Sequence, residues 1–168
     1  MNEKHIHKQL LYNHFLQFVH AIERFADTEI DIFLDFVMSE AIETFPRHMT
    51  SVHVIDCIGK NEPINSTSIA ERMNLSKASI TKIGSKLLLD GLVKRKRQNE
   101  NKKEIYFVLT EKGRAIFELH LQIHRIEEEK FHHFLEAYHS EELQVISRFL
   151  KDLSGSLEER IVEKEDKE

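Results

Sequence analysis

Residues 65–113, NSTSIAERMNLSKASITKIGSKLLLDGLVKRKRQNENKKEIYFVLTEKG, decide how this chain is to be read. Residues 68–73, SIAERM, carry a short helical pattern, with Ser66 and Thr67 before it as hydroxyl side chains able to accept from its first backbone N–H groups. Asn74 and Leu75 make a turn, Ser76 caps a second helix, and Gly91 closes it. At 3.6 residues per turn Ile80, Ile83, Gly84, Leu87 and Leu88 share one face of that helix. Ala78, Lys82, Ser85 and Lys86 point the opposite way, flanked by Ser79 and Thr81. This outward stripe is small, polar and basic, which suits a helix entering a major groove about 12 Å wide. Residues 92–97 and 104–109 then read as two strands joined by the polar loop QNENKK, the second rich in β-branched and aromatic residues. Thr110 caps the helix that follows.

Charge singles out the same stretch. Between Arg72 and Lys103 there are ten Lys and Arg against two acids, a net charge of +8, in a chain whose formal net charge is −5, so the remaining residues sum to −13. A basic island on an acidic background is an oriented footprint that meets phosphate on one face only. Double-stranded DNA is the partner this pattern implies.

Outward from this core the chain is helical. Leu10, Leu11, Phe15, Phe18, Ile22 and Phe25, followed by Ile30, Phe33, Leu34 and Val37, recur at helical spacing with neither Gly nor Pro before Pro46, which predicts one long helix or two abutting ones. A short helix is expected from Thr50 to about Ile58, with Gly59 ending it and Pro63 in the connection. After the strands the helix opened by Thr110 runs to about Tyr138, and a last helix follows a Ser140 cap with Leu143, Ile146, Leu150, Leu153 and Leu157 on its apolar face.

A length of 168 residues, 40% hydrophobic and 32% charged, suits a single helix-rich domain. No run approaches the roughly 18 apolar residues of a membrane span, and MNEKHIHKQLL is no secretory leader, so no membrane partner and a cytoplasmic location are expected. The lone Cys57 excludes an internal disulfide and any Cys-pair metal motif, and its apolar setting in VIDCI predicts a buried structural thiol. Histidine, at 11 residues, is over-represented. His120 and His124 lie four apart on one helix, the spacing at which two side chains meet and can share one metal.

Ser76 to Val93, with the pattern S-x-x-x-I-T-K-x-x-x-x-L-x-x-x-G-L-V, and LTEKG at Leu109 to Gly113 resemble the MarR family of bacterial winged helix–turn–helix regulators, and the resemblance covers nearly the whole chain. It implies a mainly α fold with a small β-hairpin wing: one MarR-like domain over 1–168, with residues 1–45 and 115–168 as dimerisation helices and 48–113 as the winged DNA-binding region. It further implies a homodimer that places two recognition helices, the one starting after Ser76 in each copy, in successive major grooves of a pseudo-palindromic operator, with Ser76, Lys77, Ala78, Ser79, Thr81, Lys82 and Lys86 at the groove. The wing lysines Lys102 and Lys103 would lie near the flanking minor groove. Wings of this family often carry Asp-Arg-Arg where this chain has Asn101, Lys102 and Lys103; lysine attracts phosphate but lacks the planar, bidentate fork of arginine.

The resemblance extends to the zinc-responsive AdcR/ZitR-like branch. There a His-x-x-x-His pair follows the wing, matched by His120 and His124, and another histidine lies near the start of the preceding short helix, matched by His53. An acidic residue of the first helix completes the set; Asp31 is the expected ligand, with Asp35 next in the series Asp27, Asp31, Asp35. Three imidazoles and a carboxylate suit tetrahedral Zn²⁺. A second, Cys-and-Glu site of that branch is not expected, because Val52 and Leu119 stand at its two acidic positions.

A dimeric, zinc-responsive transcriptional repressor is therefore the expected function. The alternative is a relative without metal that senses a small organic ligand in the cleft between dimerisation and winged regions. An enzyme is not expected: Glu129-x-x-His132 and Glu136-x-x-His139 formally match a di-iron motif, but they lie on one helix, whereas such a site draws them from different helices.

Overall fold

The computed structural model describes residues 3–40, 42–96 and 105–165. Nine elements follow in order: α1 (Glu3–Ser39), α2 (Met49–Asn61), β1 (Ile64–Asn65), α3 (Ser66–Met73), α4 (Lys77–Leu89), β2 (Val93–Lys96), β3 (Tyr106–Leu109), α5 (Glu111–Leu135) and α6 (Ser140–Glu165). Two compact units divide the chain, Met1–Ile123 and His124–Glu168.

In the first unit, α2, α3 and α4 enclose a core of aliphatic side chains with the sheet. Ile55, Ile58, Ile69, Ile80, Leu87 and Leu92 are fully buried, and Phe33 and Val37 from the last turns of α1 and Ile116 from α5 join them. α1 is a single helix, in keeping with its unbroken periodicity. Phe33 and Val37 stand four residues apart, so one stripe of α1 docks and the opposite side faces outward.

The sheet is antiparallel with β3 central, and it has one strand more than the hairpin expected from sequence. β1 pairs with β3 through Ile64 and Phe107, while β2 pairs through Val93 and Leu109. That small strand changes the cap of α3. Asn65, the last residue of β1, accepts from the Ser68 N–H at 2.9 Å, so Asn65 takes the role expected of Ser66 and Thr67, which lie inside the helix. Ser76 caps α4 as expected, accepting from the Ser79 N–H at 3.1 Å. At the start of α6, the Glu142 carboxylate accepts from the His139 N–H, so Ser140 is the first residue of the helix rather than its cap.

Gly59 does not end α2, which runs on to Asn61. The Phe117 ring of α5 lies so close that a Cβ at position 59 would stand 2.5 Å from its Cδ2, so the glycine makes room for a packed ring. The LTEKG segment has a similar explanation. Leu109 is buried, the Thr110 hydroxyl donates to Gly91 O at 2.7 Å and accepts from the Gly113 N–H at 3.1 Å, and a Cβ on Gly113 would fall 1.9 Å from Leu92 O. Glu62 completes the junction, accepting the Leu109 N–H at 2.7 Å through one carboxylate oxygen and pairing with Arg114 through the other. Wing base, α2 and α5 are thereby tied at one point.

The second unit comprises the end of α5 from His124 together with α6. Its α6 leaves Val145, Phe149, Leu150, Leu157 and Ile161 exposed. On α5, the rings of Phe131 and Phe134 stack with centroids 6.4 Å apart. Among the described residues no helix is long and apolar enough to cross a membrane.

Candidate nucleic-acid interface and metal centre

The two faces of α4 divide as its periodicity predicts. Ile80, Gly84 and Leu87 are buried and Ile83 and Leu88 half-buried, whereas Lys77, Ala78, Ser79, Thr81, Lys82, Ser85 and Lys86 are exposed together with Ser76. Asn74, at φ 49°, turns the chain from α3 into α4, and the Leu75 N–H returns to Ala70 O at 3.0 Å. This turn fixes α4 against α3 with its polar side outward.

Hydrogen bonds refine that outward stripe. The Ser76 and Ser79 hydroxyls are 2.9 Å apart, and the Thr81 hydroxyl donates to Lys77 O at 2.7 Å, so these three oxygens serve the helix itself. Lys86 reaches the Asp90 carboxylate at 2.9 Å, which offsets part of its charge. Lys77, Lys82 and Ser85 are left as the outward groups without such an engagement among the described residues. Lys102 and Lys103 lie outside the described residues. Lys94, Arg95 and Lys96, not singled out as site residues from sequence, follow the buried Val93 on β2 and are all exposed. The run KRKR after Val93 was their signal.

A second cluster lies in the first unit, built from α1, α2 and α5. His120 is 3% exposed, the sole charged or polar residue in the buried core among the described residues. Its ring centroid lies 5.4 Å from that of His53 on α2, at an interplanar angle of 55°. Two carboxylates attend them. Glu29 Oε1 is 3.5 Å from His53 Nε2, and Asp56 Oδ1 is 3.6 Å from His120 Nδ1 while Asp56 Oδ2 pairs with Lys60 at 2.8 Å.

Asp31, the acidic ligand expected from sequence, is exposed, as is Asp35, and the α1 carboxylate against His53 is Glu29. The reason is helical phase. Glu29 precedes the buried Phe33 by four residues and shares its stripe, whereas Asp31 and Asp35 each lie two residues from Phe33, about 200° around the helix. The signal was present in the spacing of Phe33 and Val37. His124 lies four residues after His120 on α5, in the second unit.

The donor chemistry suits Zn²⁺. Two ligands of one tetrahedral zinc, each at about 2.0–2.1 Å, stand about 3.3 Å apart, close to the 3.5 Å between His53 Nε2 and Glu29 Oε1. Among the described residues, however, no three His, Cys, Asp or Glu side chains already converge as a metal-holding group. Val52 and Leu119 are buried apolar residues, and burial pushes the Cys57 thiol up, the setting of an unreactive structural cysteine.

A cavity of about 330 Å³ lies where the α1–α2 connection meets α4, lined by Phe45, Pro46, Arg47, His48, Lys86 and Asp90 among others.

A helix–turn–helix with an exposed basic second helix, followed by an antiparallel wing, defines a winged helix protein. Residues 48–105 match the MarR family, and the chain is 42% identical over 151 residues to the HTH-type transcriptional regulator PchR of Bacillus subtilis, covering 90% of this chain and 89% of that one. The chain belongs to the MarR family of transcriptional regulators. It is 28% identical over 144 residues to the transcriptional regulator ZitR of Lactococcus lactis, covering 86% of this chain and 96% of that protein. A crystal structure of ZitR, a zinc-responsive MarR family member, superposes with a TM-score of 0.70 at 27% identity, covering 88% of this chain and 99% of that one. Streptococcus pneumoniae FabT, solved in complex with DNA, shares the fold with a TM-score of 0.70 at 22% identity, covering 88% of this chain and 98% of that one. Family membership sets aside the helical metalloenzyme. In addition His139, the last residue of the formal Glu-x-x-His repeat, lies past the end of α5.

Proposed function

We propose that the chain is a dimeric, cytoplasmic DNA-binding repressor in which α4 enters a major groove and zinc acts as corepressor. The exposed basic face of α4, backed by an inner stripe in which Ile80, Gly84 and Leu87 are buried, is the observation that carries the DNA reading. Ser76, Lys77, Ala78, Ser79, Thr81, Lys82 and Lys86 would line the groove, with Lys102 and Lys103 at the wing and Lys94 to Lys96 along the adjoining phosphates. Residues 1–45 and 115–168 would supply the dimerisation helices around a winged region at 48–113, and a pseudo-palindromic operator follows from two-fold pairing.

The pairing of His53 with His120 beside Glu29 supports the metal reading. His53, His120 and His124 would be the imidazole ligands, with Glu29 in place of Asp31 as the acidic one. When bound, zinc would cross-link α1, α2 and α5, and so hold the winged region in one orientation relative to the helices of the dimer. DNA binding of the purified protein by anisotropy, with and without a chelator, tests this. Zinc should tighten binding in the wild type and leave His120→Ala and His53→Ala unaffected. Zinc-independent binding in the wild type would defeat the metal reading while leaving the DNA reading intact.

The cavity beside Arg47, His48 and Lys86 favours a second reading, a small organic ligand that acts on the C-terminal end of α4. An aromatic carboxylate that shifts DNA affinity in metal-free protein would support it.

A further inference from the structure

Asp56 has no place in the ligand set just described, yet it holds the buried end of the cluster. We infer that Asp56 is the positioning residue of His120, holding its ring as the Nδ1–H tautomer so that Nε2 keeps the lone pair a metal needs; this rests on the zinc reading above. Three observations carry it.

First, His120 is almost wholly buried, so its orientation is set by protein groups and not by bulk water. Second, Asp56 Oδ1 is buried without a hydrogen bond and lies 3.6 Å from His120 Nδ1. That separation is just beyond a hydrogen bond, and a small rotation of either side chain closes it. A buried carboxylate oxygen lacking a donor is costly, so the closed arrangement is favoured. Third, Asp56 is not free to swing away. Its other oxygen is held by Lys60 at 2.8 Å, one turn along the same helix, which leaves Oδ1 aimed at His120.

A carboxylate accepting from one ring nitrogen fixes which nitrogen bears the proton and raises the basicity of the other, the arrangement that orients most metal-bound histidines. His53 differs. Its Nε2 faces Glu29 on the half-exposed side of the cluster, so the two imidazoles are held by carboxylates on different helices, α1 for His53 and α2 for His120.

The test uses full-length, metal-free protein labelled with ¹⁵N-histidine. Long-range ¹H–¹⁵N correlation, with the His120 signal assigned by its loss in His120→Gln, should show Nδ1 protonated and Nε2 bare. Asp56→Ala should move His120 toward the Nε2–H form and weaken zinc affinity, read by competition with a chromophoric chelator, by about 10–100-fold. Asp56→Asn, whose amide oxygen can still accept, should keep the Nδ1–H tautomer and recover most of that affinity. A His120 that is Nε2-protonated or doubly protonated in the wild type at neutral pH overturns the inference. Equal zinc affinity in wild type and Asp56→Ala overturns it too, and leaves zinc sensing standing. A wild type that shows the Nδ1–H tautomer yet binds no zinc overturns zinc sensing and, with it, any metal role for Asp56.

Discussion

α4 and α1 are both amphipathic helices, but one chain completes only the first. The apolar stripe of α4 is buried on α3 and the sheet, and what remains outside is polar apart from Ala78 and from Leu89 at the helix end, which is 81% exposed. α1 buries Phe33 and Val37 near its end, whereas Leu10, Leu11, Phe18, Ile22 and Phe25 stay exposed, Phe18 at 56% and Phe25 at 50%. Exposed aromatic residues on a helix that long are the mark of a surface that another chain covers. The apolar stripe of α4 thus finds its partners within one copy of the chain, while most of the apolar stripe of α1 does not. Stability of the winged region should be independent of protein concentration; that of α1 should depend on a second copy.

Breaking the second half gives the largest expected effect. Phe18→Glu combined with Ile22→Glu should raise the dimer dissociation constant by at least about 100-fold, since each places a charge in an apolar interface. Sedimentation at micromolar concentration should then show monomers, and a variant that stays dimeric would remove α1 from the interface. DNA affinity should fall with it.

Gly113→Ala attacks the first half. A Cβ 1.9 Å from Leu92 O cannot be accommodated without moving the wing base, so the winged region should lose about 3 kcal/mol or more. Denaturant unfolding at two protein concentrations should show the same loss at both. Gly84→Ala is the milder companion, its Cβ meeting the edge of the Phe107 ring with Cζ nearest at 3.1 Å.

Surface changes on the winged region should leave folding and dimerisation alone. Lys102→Ala with Lys103→Ala should weaken binding to every DNA sequence alike and flatten the salt dependence by about one unit per lost phosphate contact. Lys82→Ala should instead alter which operator is preferred, and unchanged preference would mean that another face of α4 reads the bases.

The smallest effect belongs to Lys86→Ala. Because Asp90 already offsets part of this charge at 2.9 Å, its loss should flatten the salt dependence less than loss of Lys77 or Lys82. Removing Asp90 instead, as Asp90→Asn with Lys86 retained, should tighten binding slightly. Equal losses at Lys77 and Lys86 would show that the pair opens on DNA.

Legibility followed range. The two faces of α4, the Ser76 and Thr110 caps, the strands and the buried Cys57 were all readable from sequence, because each depends on periodicity, on an apolar local setting or on hydrogen bonds that close within a few residues. Family resemblance rested on the same local motifs, and the matching relatives bear it out. Gly59 misled because its small size answers to Phe117, which no rule about helix ends contains. Asn65 displaced Ser66 and Thr67 as the cap because β1 first pairs with β3 and so sets where α3 begins. Asp27, Asp31 and Asp35 are equally periodic, and choosing among carboxylates on α1 required knowing that Phe33 and Val37 face inward; that phase brings Glu29 to His53. A winged helix with a basic outer face on α4 is therefore written in the chain locally, since short-range propensity and patterning suffice for that. Which carboxylates stand beside which histidines is settled by docking, because residues 29, 53, 56 and 120 meet only once α1, α2 and α5 have packed together.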